Sequence, residues 1–185
     1  MRWCLMISIL ALGLPAAAQE ASRRVMDFSA AERPTRGWFS VDDSVMGGVS
    51  HGHFEQTEDG VSFFGRLSLE NNGGFSSVRS PAIVREFDGA ERLRLRVRGD
   101  GRSYDLCLKK TADWDGPLYR TTFDTVEGEW MEVDLPLSVF VPTWRGWVVE
   151  RAGPITGQEI AQLGFMLADK QPGEFELEVA WIEAR

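Results

Sequence analysis

Apolar and polar positions alternate in short runs along the chain, broken by Gly, Asp, Asn and Pro, and no apolar period of about 3.6 residues persists beyond about two turns. Successive side chains of a strand point to opposite faces, so this alternation predicts strands at 25–28, 37–41, 52–56, 61–69, 75–79, 91–99, 103–109, 118–123, 130–135, 162–167 and 174–182. In 91–99, Leu93, Leu95 and Val97 alternate with Arg92, Arg94, Arg96 and Arg98, which predicts one core face and one row of arginines. Such a row repels itself unless carboxylates oppose it. Glu176 and Glu178, or Glu132 and Asp134, are the expected partners, at a few tenths to about 1 kcal/mol per opposed pair. In 103–109, Tyr104, Leu106 and Leu108 oppose Asp105, Cys107 and Lys109; in the last run Phe175, Leu177, Val179 and Trp181 are expected on one face, Glu176 and Glu178 on the other. Asp100-Gly101 signals a tight hairpin. One helical signal, a capping box at Thr156-Gly157-Gln158-Glu159, predicts a short turn near 157–162. With no βαβ spacing, the pattern predicts an all-β fold, an antiparallel two-sheet sandwich or jelly roll.

Residues 1–18 depart from this pattern. Arg2 precedes an apolar core too short to span a bilayer, and Ala16-Ala17-Ala18 offers small residues for cleavage, which reads as a secretory signal peptide. The alternative is an uncleaved N-terminal anchor. The signal reading leaves a single domain at 19–185, exported, periplasmic or secreted, and not an integral membrane protein after cleavage. The chain carries a net charge of −8, which argues against non-specific binding to nucleic acid or anionic lipid. Cys4 belongs to the leader, so Cys107 remains alone, without a disulfide partner, and is expected to be a small packed or half-exposed residue.

Candidate chemistry begins with two related stretches, Val41-Asp42-Asp43-Ser44-Val45-Met46-Gly47-Gly48-Val49-Ser50 and Glu70-Asn71-Asn72-Gly73-Gly74-Phe75-Ser76-Ser77. Each sets acidic or amide side chains before a Gly-Gly pair, and Gly47, Gly48, Gly73 and Gly74 are expected to make sharp loops. Asp42, Asp43, Asn71 and Asn72 should lie near one another. Oxygens of these types can organise turns by bonding backbone N–H groups, or hold a structural calcium ion. The turn reading is the one taken, and no cofactor is expected. His51 and His53 share a strand face but lack further histidines to complete a metal site. Asp100, Arg102 and Tyr104 form a candidate recognition loop, with Arg102 offering a fork to a carboxylate. Trp114, Trp144 and Arg145 sit in stretches expected to be exposed loops, where indoles can stack on sugars; the other five tryptophans are assigned to the core, the sandwich ends or the leader. No catalytic triad, zinc-protease helix, P-loop or dinucleotide fingerprint occurs.

Several of these stretches together resemble the complex I intermediate-associated protein 30 family. They are Trp38 to Ser50, Phe64 to Arg79, Leu95 to Tyr104, Trp130 to Phe140 with Leu135-Pro136-Leu137, Arg145-Gly146, and Asp169-Lys170 followed by Gly173-Glu174-Phe175. The resemblance implies a galactose-binding-domain-like sandwich and a non-catalytic role, since mitochondrial members of that family are assembly factors. The expectation is therefore a binding protein that meets a protein partner through the Gly-Gly loops and the Asp100-Gly101 hairpin. The alternative is a carbohydrate-binding module with Trp114 and Trp144 as platforms. A glycan-acting enzyme using Asp42, Asp43 or Asp113 is the third reading.

Overall fold

The computed structural model describes residues 22–29 and 35–185, so the leader expected at 1–18 lies outside the described residues. The strands in chain order are β1 (Arg23–Asp27), β2 (Phe39–Ser40), β3 (His51–Gln56), β4 (Val61–Leu67), β5 (Ser76–Arg79), β6 (Arg92–Gly99) and β7 (Ser103–Lys109). They continue as β8 (Leu118–Asp124), β9 (Trp130–Pro136), β10 (Val141–Trp144), β11 (Trp147–Val148), β12 (Gln162–Leu167) and β13 (Gly173–Ala184). All ladders are antiparallel, and helical structure is confined to single 3-10 turns. The capping box at Thr156 and Glu159 forms and opens the turn Gly157–Glu159.

The first sheet runs β3-β4-β13-β6-β9, with β1 pairing to the far half of β13, and the second runs β11-β10-β8-β7-β12-β5-β2. Their inner faces supply the core: Phe63, Leu93, Leu95, Val97, Leu177 and Val179 from the first sheet, and Tyr104, Leu106, Leu108, Leu163 and Phe165 from the second. Each large apolar side chain so buried contributes about 1.5–3 kcal/mol relative to exposure. This two-sheet sandwich is the architecture the alternation predicts.

The arginine row on β6 is neutralised. Arg92 pairs with Asp134 at 3.0 Å, Arg94 with Glu132, and Arg98 with Glu178 at 2.7 Å, while Arg96 lies over the Trp130 ring. Glu176, the other expected partner, accepts instead from the Ser62 hydroxyl. One face assignment is corrected. A bulge between Val179 and Trp181 shifts the register of β13, so Trp181 leaves the face of Phe175, Leu177 and Val179 and Ile182 enters the core. Trp181 then lies between the guanidinium groups of Arg24 and Arg94.

Candidate functional site

Both Gly-Gly stretches are crossovers between the sheets, one leading from β2 to β3 and the other from β4 to β5. They meet on Asp43, which is fully buried. Its Oδ1 accepts the Ser50 N–H at 2.9 Å; its Oδ2 accepts the Ser50 hydroxyl at 2.5 Å, the Gly74 N–H at 2.6 Å and the Phe75 N–H at 3.3 Å. Burial alone would push this carboxyl upward, but these donors outweigh it and hold its pKa below the ordinary value of 3.8. Asp42 is the lesser anchor, accepting from Ser76 Oγ at 2.6 Å and from the Gly52 N–H at 3.3 Å. Asn71 closes the link by donating its amide to the Gly47 carbonyl at 3.1 Å. Asn71 and Asn72 both adopt positive φ, which asparagine tolerates, and Asn72 is exposed.

Within each glycine pair the two residues do different work. Gly47 and Gly74 have φ of +92° and +131°, which a side chain would disfavour. A Cβ on Gly48 or Gly73 would overlap the Asp43 carboxyl. One glycine of each pair thus turns the chain and the other makes room for the shared acid. The tips so held expose Val45, Met46, Val49 and Leu69. Sequence reasoning missed these four as surface residues, although apolar residues crowding a glycine pair without alternation were the available signal.

The Asp100 hairpin lies at the same end of the sandwich, since β3, β5, β7 and β13 begin there and β4, β6, β8 and β12 end there. Its residues turn inward. Asp100 accepts from Tyr104 Oη at 3.0 Å and from the backbone N–H groups of Arg102 and Glu176, at 3.2 and 3.0 Å. Burial and then the Asp100 charge raise the Tyr104 pKa, so its hydroxyl stays a donor. The Arg102 fork is already filled: Nε and Nη2 grip the two oxygens of Asp169 at 2.9 and 2.7 Å, and Nη1 and Nη2 bond the carbonyls of Glu174 and Gln171. Arg102 is therefore a clamp on the turn before β13 rather than an open fork. Beside it, a shallow hollow of about 350 Å³ is lined by Phe64, Gly65, Asp100, Glu174, Phe175 and Glu176.

Trp114, Trp144 and Arg145 are at the opposite end, so the structure does not bring them to the Gly-Gly loops. Trp114 and Trp144 are exposed, and Trp144 donates its Nε1–H to Asp115 at 2.8 Å. Arg145 covers one face of Trp144 at 4.7 Å and Arg79 one face of Trp114 at 5.6 Å. The assignment of Trp147 to the core or a plug at a sandwich end is corrected: it is 80% exposed, on a β10–β11 hairpin turned by Arg145 and Gly146 at positive φ. His51 and His53 are exposed, and no group of three His, Cys, Asp or Glu side chains placed to hold a metal occurs among the described residues. No helix among them is long and apolar enough to cross a membrane.

The fold and these joined crossovers define an antiparallel two-sheet β-sandwich whose sheets are tied at one end by a buried carboxylate. A family profile described as complex I intermediate-associated protein 30 matches residues 26–179, and the chain belongs to that family. It is 29% identical over 166 residues to "Complex I intermediate-associated protein 30, mitochondrial" of Mus musculus, covering 78% of this chain and 51% of that one. It is also 29% identical over 120 residues to the probable Caenorhabditis elegans counterpart, covering 63% of this chain and 34% of that one. The chain thus spans about half or less of these relatives. Among solved structures, the family 11 carbohydrate-binding module from Clostridium thermocellum, in complex with a beta-1,3-1,4-mixed-linked tetrasaccharide, superposes with a TM-score of 0.61 at 13% identity, over 88% of this chain and 94% of that one. The expectation of a periplasmic or secreted protein is corrected by the relatives, whose names place them in mitochondria. Both secretory and organellar leaders carry basic residues and few acids, so the lone Arg2 and the absence of acid in 1–18 do not by themselves tell the two apart.

Proposed function

We propose that this chain is a non-catalytic protein-binding module of the complex I assembly type, docking its partner through the Gly-Gly end of the sandwich. The observation that carries this reading is the display of Val45, Met46, Val49 and Leu69 on two crossovers locked to one buried acid. Apolar side chains left in water on rigid loops suit burial against a protein, because little conformational entropy remains to be lost on binding. The polar groups beneath them are engaged internally, so they serve presentation rather than chemistry. The relatives' names, which record association with complex I intermediates, agree with this role.

The second reading is carbohydrate binding, favoured by the exposed Trp114, Trp144 and Trp147 at the other end. Two of these indoles already have one face against a guanidinium, which leaves Trp147 as the most open platform. Native-gel co-migration of the tagged chain with complex I subassemblies tests the first reading. Wild-type protein co-migrates and Met46→Asp abolishes it; unchanged co-migration of Met46→Asp, or binding to a mixed-linked glucan that Trp147→Ala removes, supports the sugar reading instead.

A further inference from the structure

The outer face of the second sheet holds two cations that form no ion pair with an acid among the described residues. Arg79 on β5 stands across from Gly164, and Gly164 from Cys107 on β7, so Arg79, Cys107 and Lys109 share that face. Lys109 is only 3% exposed, and its ammonium bonds the backbone carbonyls of Asp113 and Trp114 in the loop that folds over it. Arg79 is half-buried beneath the Trp114 ring. Among the described residues neither forms an ion pair, whereas the neighbouring Arg120 is neutralised by Asp105 at 3.1 Å. Asp113 and Asp115 act on Lys109 only from a distance, and Asp115 is engaged by Trp144. Cys107, between the cations, supplies no negative charge, because burial and the Asp105 carboxylate push its thiol upward. Burial lowers the pKa of Arg79, and burial followed by the Arg79 charge lowers that of Lys109. Arg79 and Lys109 thus repel each other, and the nearby Asp113 and Asp115 offset the Lys109 charge without pairing with it.

From this we infer that Arg79, backed by the buried charge of Lys109, forms a docking point for a carboxylate on an acidic segment of a partner protein, flanked by Phe39 and Trp114. The inference rests on the reading of the chain as a protein-binding module. Three features choose the occupant. The site offers one half-buried guanidinium backed by a buried ammonium, and no nest of backbone N–H groups, because Gly164 and Cys107 lie inside ladders; that suits a monoanionic carboxylate better than a phosphate. Phe39, across from Arg79 on the edge strand, and Trp114 are both exposed and offer apolar contact on either side of the charge. Of the acids near the site, Asp105 is used by Arg120 and Thr122 and Asp115 by Trp144, which leaves the Asp113 carboxylate alone to hold the hydroxyls of a sugar. Gly164 contributes by absence: a Cβ there would overlap the Val78 carbonyl, and its missing side chain keeps the floor between Arg79 and Cys107 low.

The test is calorimetric titration of the whole protein with a capped pentapeptide carrying one central glutamate between two phenylalanines. The same peptide with glutamine, trigalacturonate and inorganic phosphate are the comparison probes. The glutamate peptide should bind at least tenfold more tightly than the glutamine peptide, and the difference should shrink as salt is raised. Arg79→Gln should remove that difference, and Lys109→Met, which takes away only the buried charge behind it, should reduce it. Arg79→Lys, keeping charge without the fork, should retain part of it. Lys109→Met can loosen its loop, so Arg79→Gln, with an unchanged melting temperature, is the deciding variant. Equal binding of the two peptides, binding of trigalacturonate or phosphate in preference to the glutamate peptide, or an unaltered preference in Arg79→Gln would overturn the proposal. If the peptide preference is missing while Met46→Asp still abolishes co-migration with complex I subassemblies, the carboxylate site alone fails; if Met46→Asp has no effect, the module reading fails.

Discussion

Replacing Asp43 with Asn removes one charge and one acceptor from the point where both crossovers meet. The amide oxygen would best occupy the Oδ2 position, where Ser50 Oγ, Gly74 N–H and Phe75 N–H converge. The new NH₂ then faces the Ser50 N–H, so two donors oppose each other in a buried site. Hydrogen bonds to a charged group contribute about 1.5–3 kcal/mol, and a stranded buried donor costs about 1–3 kcal/mol. Since three bonds survive in weaker, neutral form, the net loss expected is about 3–4 kcal/mol. For a domain of this size about 1 kcal/mol moves the melting temperature by about 2–4 °C, so Asp43→Asn should melt about 10 °C lower. Urea unfolding should give the same loss with an unchanged m-value. The sign of the pH dependence follows from the depressed folded pKa: the stabilisation is fully present above the unfolded value of 3.8 and disappears as pH falls through the folded value. The gap between wild type and Asp43→Asn should therefore narrow in acid below about pH 4. A loss under about 1 kcal/mol at neutral pH, or a gap independent of pH, would refute the claim that this charge ties the loops.

Three further outcomes follow from the same geometry. Gly48→Ala forces a methyl group onto the Asp43 carboxyl and should cost at least about 2 kcal/mol in urea unfolding, whereas Gly47→Ala meets no atom and should cost only its positive-φ strain of about 1 kcal/mol. Arg102→Met strands Asp169 and should destabilise by about 3–5 kcal/mol, with Arg102→Lys recovering part of it, as read by thermal melting. Cys107, buried and with its thiol pushed upward, should label with an alkylating reagent under native conditions far more slowly than after unfolding; equal rates would contradict its placement.

The fold was legible because both faces of most strands obey the alternation, and the arginines of β6 demanded carboxylates that β9 and β13 supply. Trp181 was misplaced because a bulge inserts one residue and reverses every later face, an event that alternation alone does not mark. The β10–β11 hairpin was missed because Val141, Trp144, Trp147 and Val148 are all exposed at the sheet edge, so no buried face leaves a pattern. The roles of Arg102 and Lys109 were illegible for a different reason. Asp169 lies 67 residues from Arg102, and the loop over Lys109 covers a strand face that by pattern alone is solvent-facing. The Gly-Gly loops could be paired from their similarity, but the choice of Asp43 over Asp42 as the shared anchor came only from burial and distances.

The most direct measurement of the central claim is site-specific photo-cross-linking in cells that make complex I, with the photoreactive residue placed at Met46 in one variant and at Trp147 in another. Protein docking at the Gly-Gly end predicts a discrete cross-linked complex I subunit or assembly protein from Met46 and none from Trp147. Cross-linking from Trp147 alone, or from neither position, would contradict it.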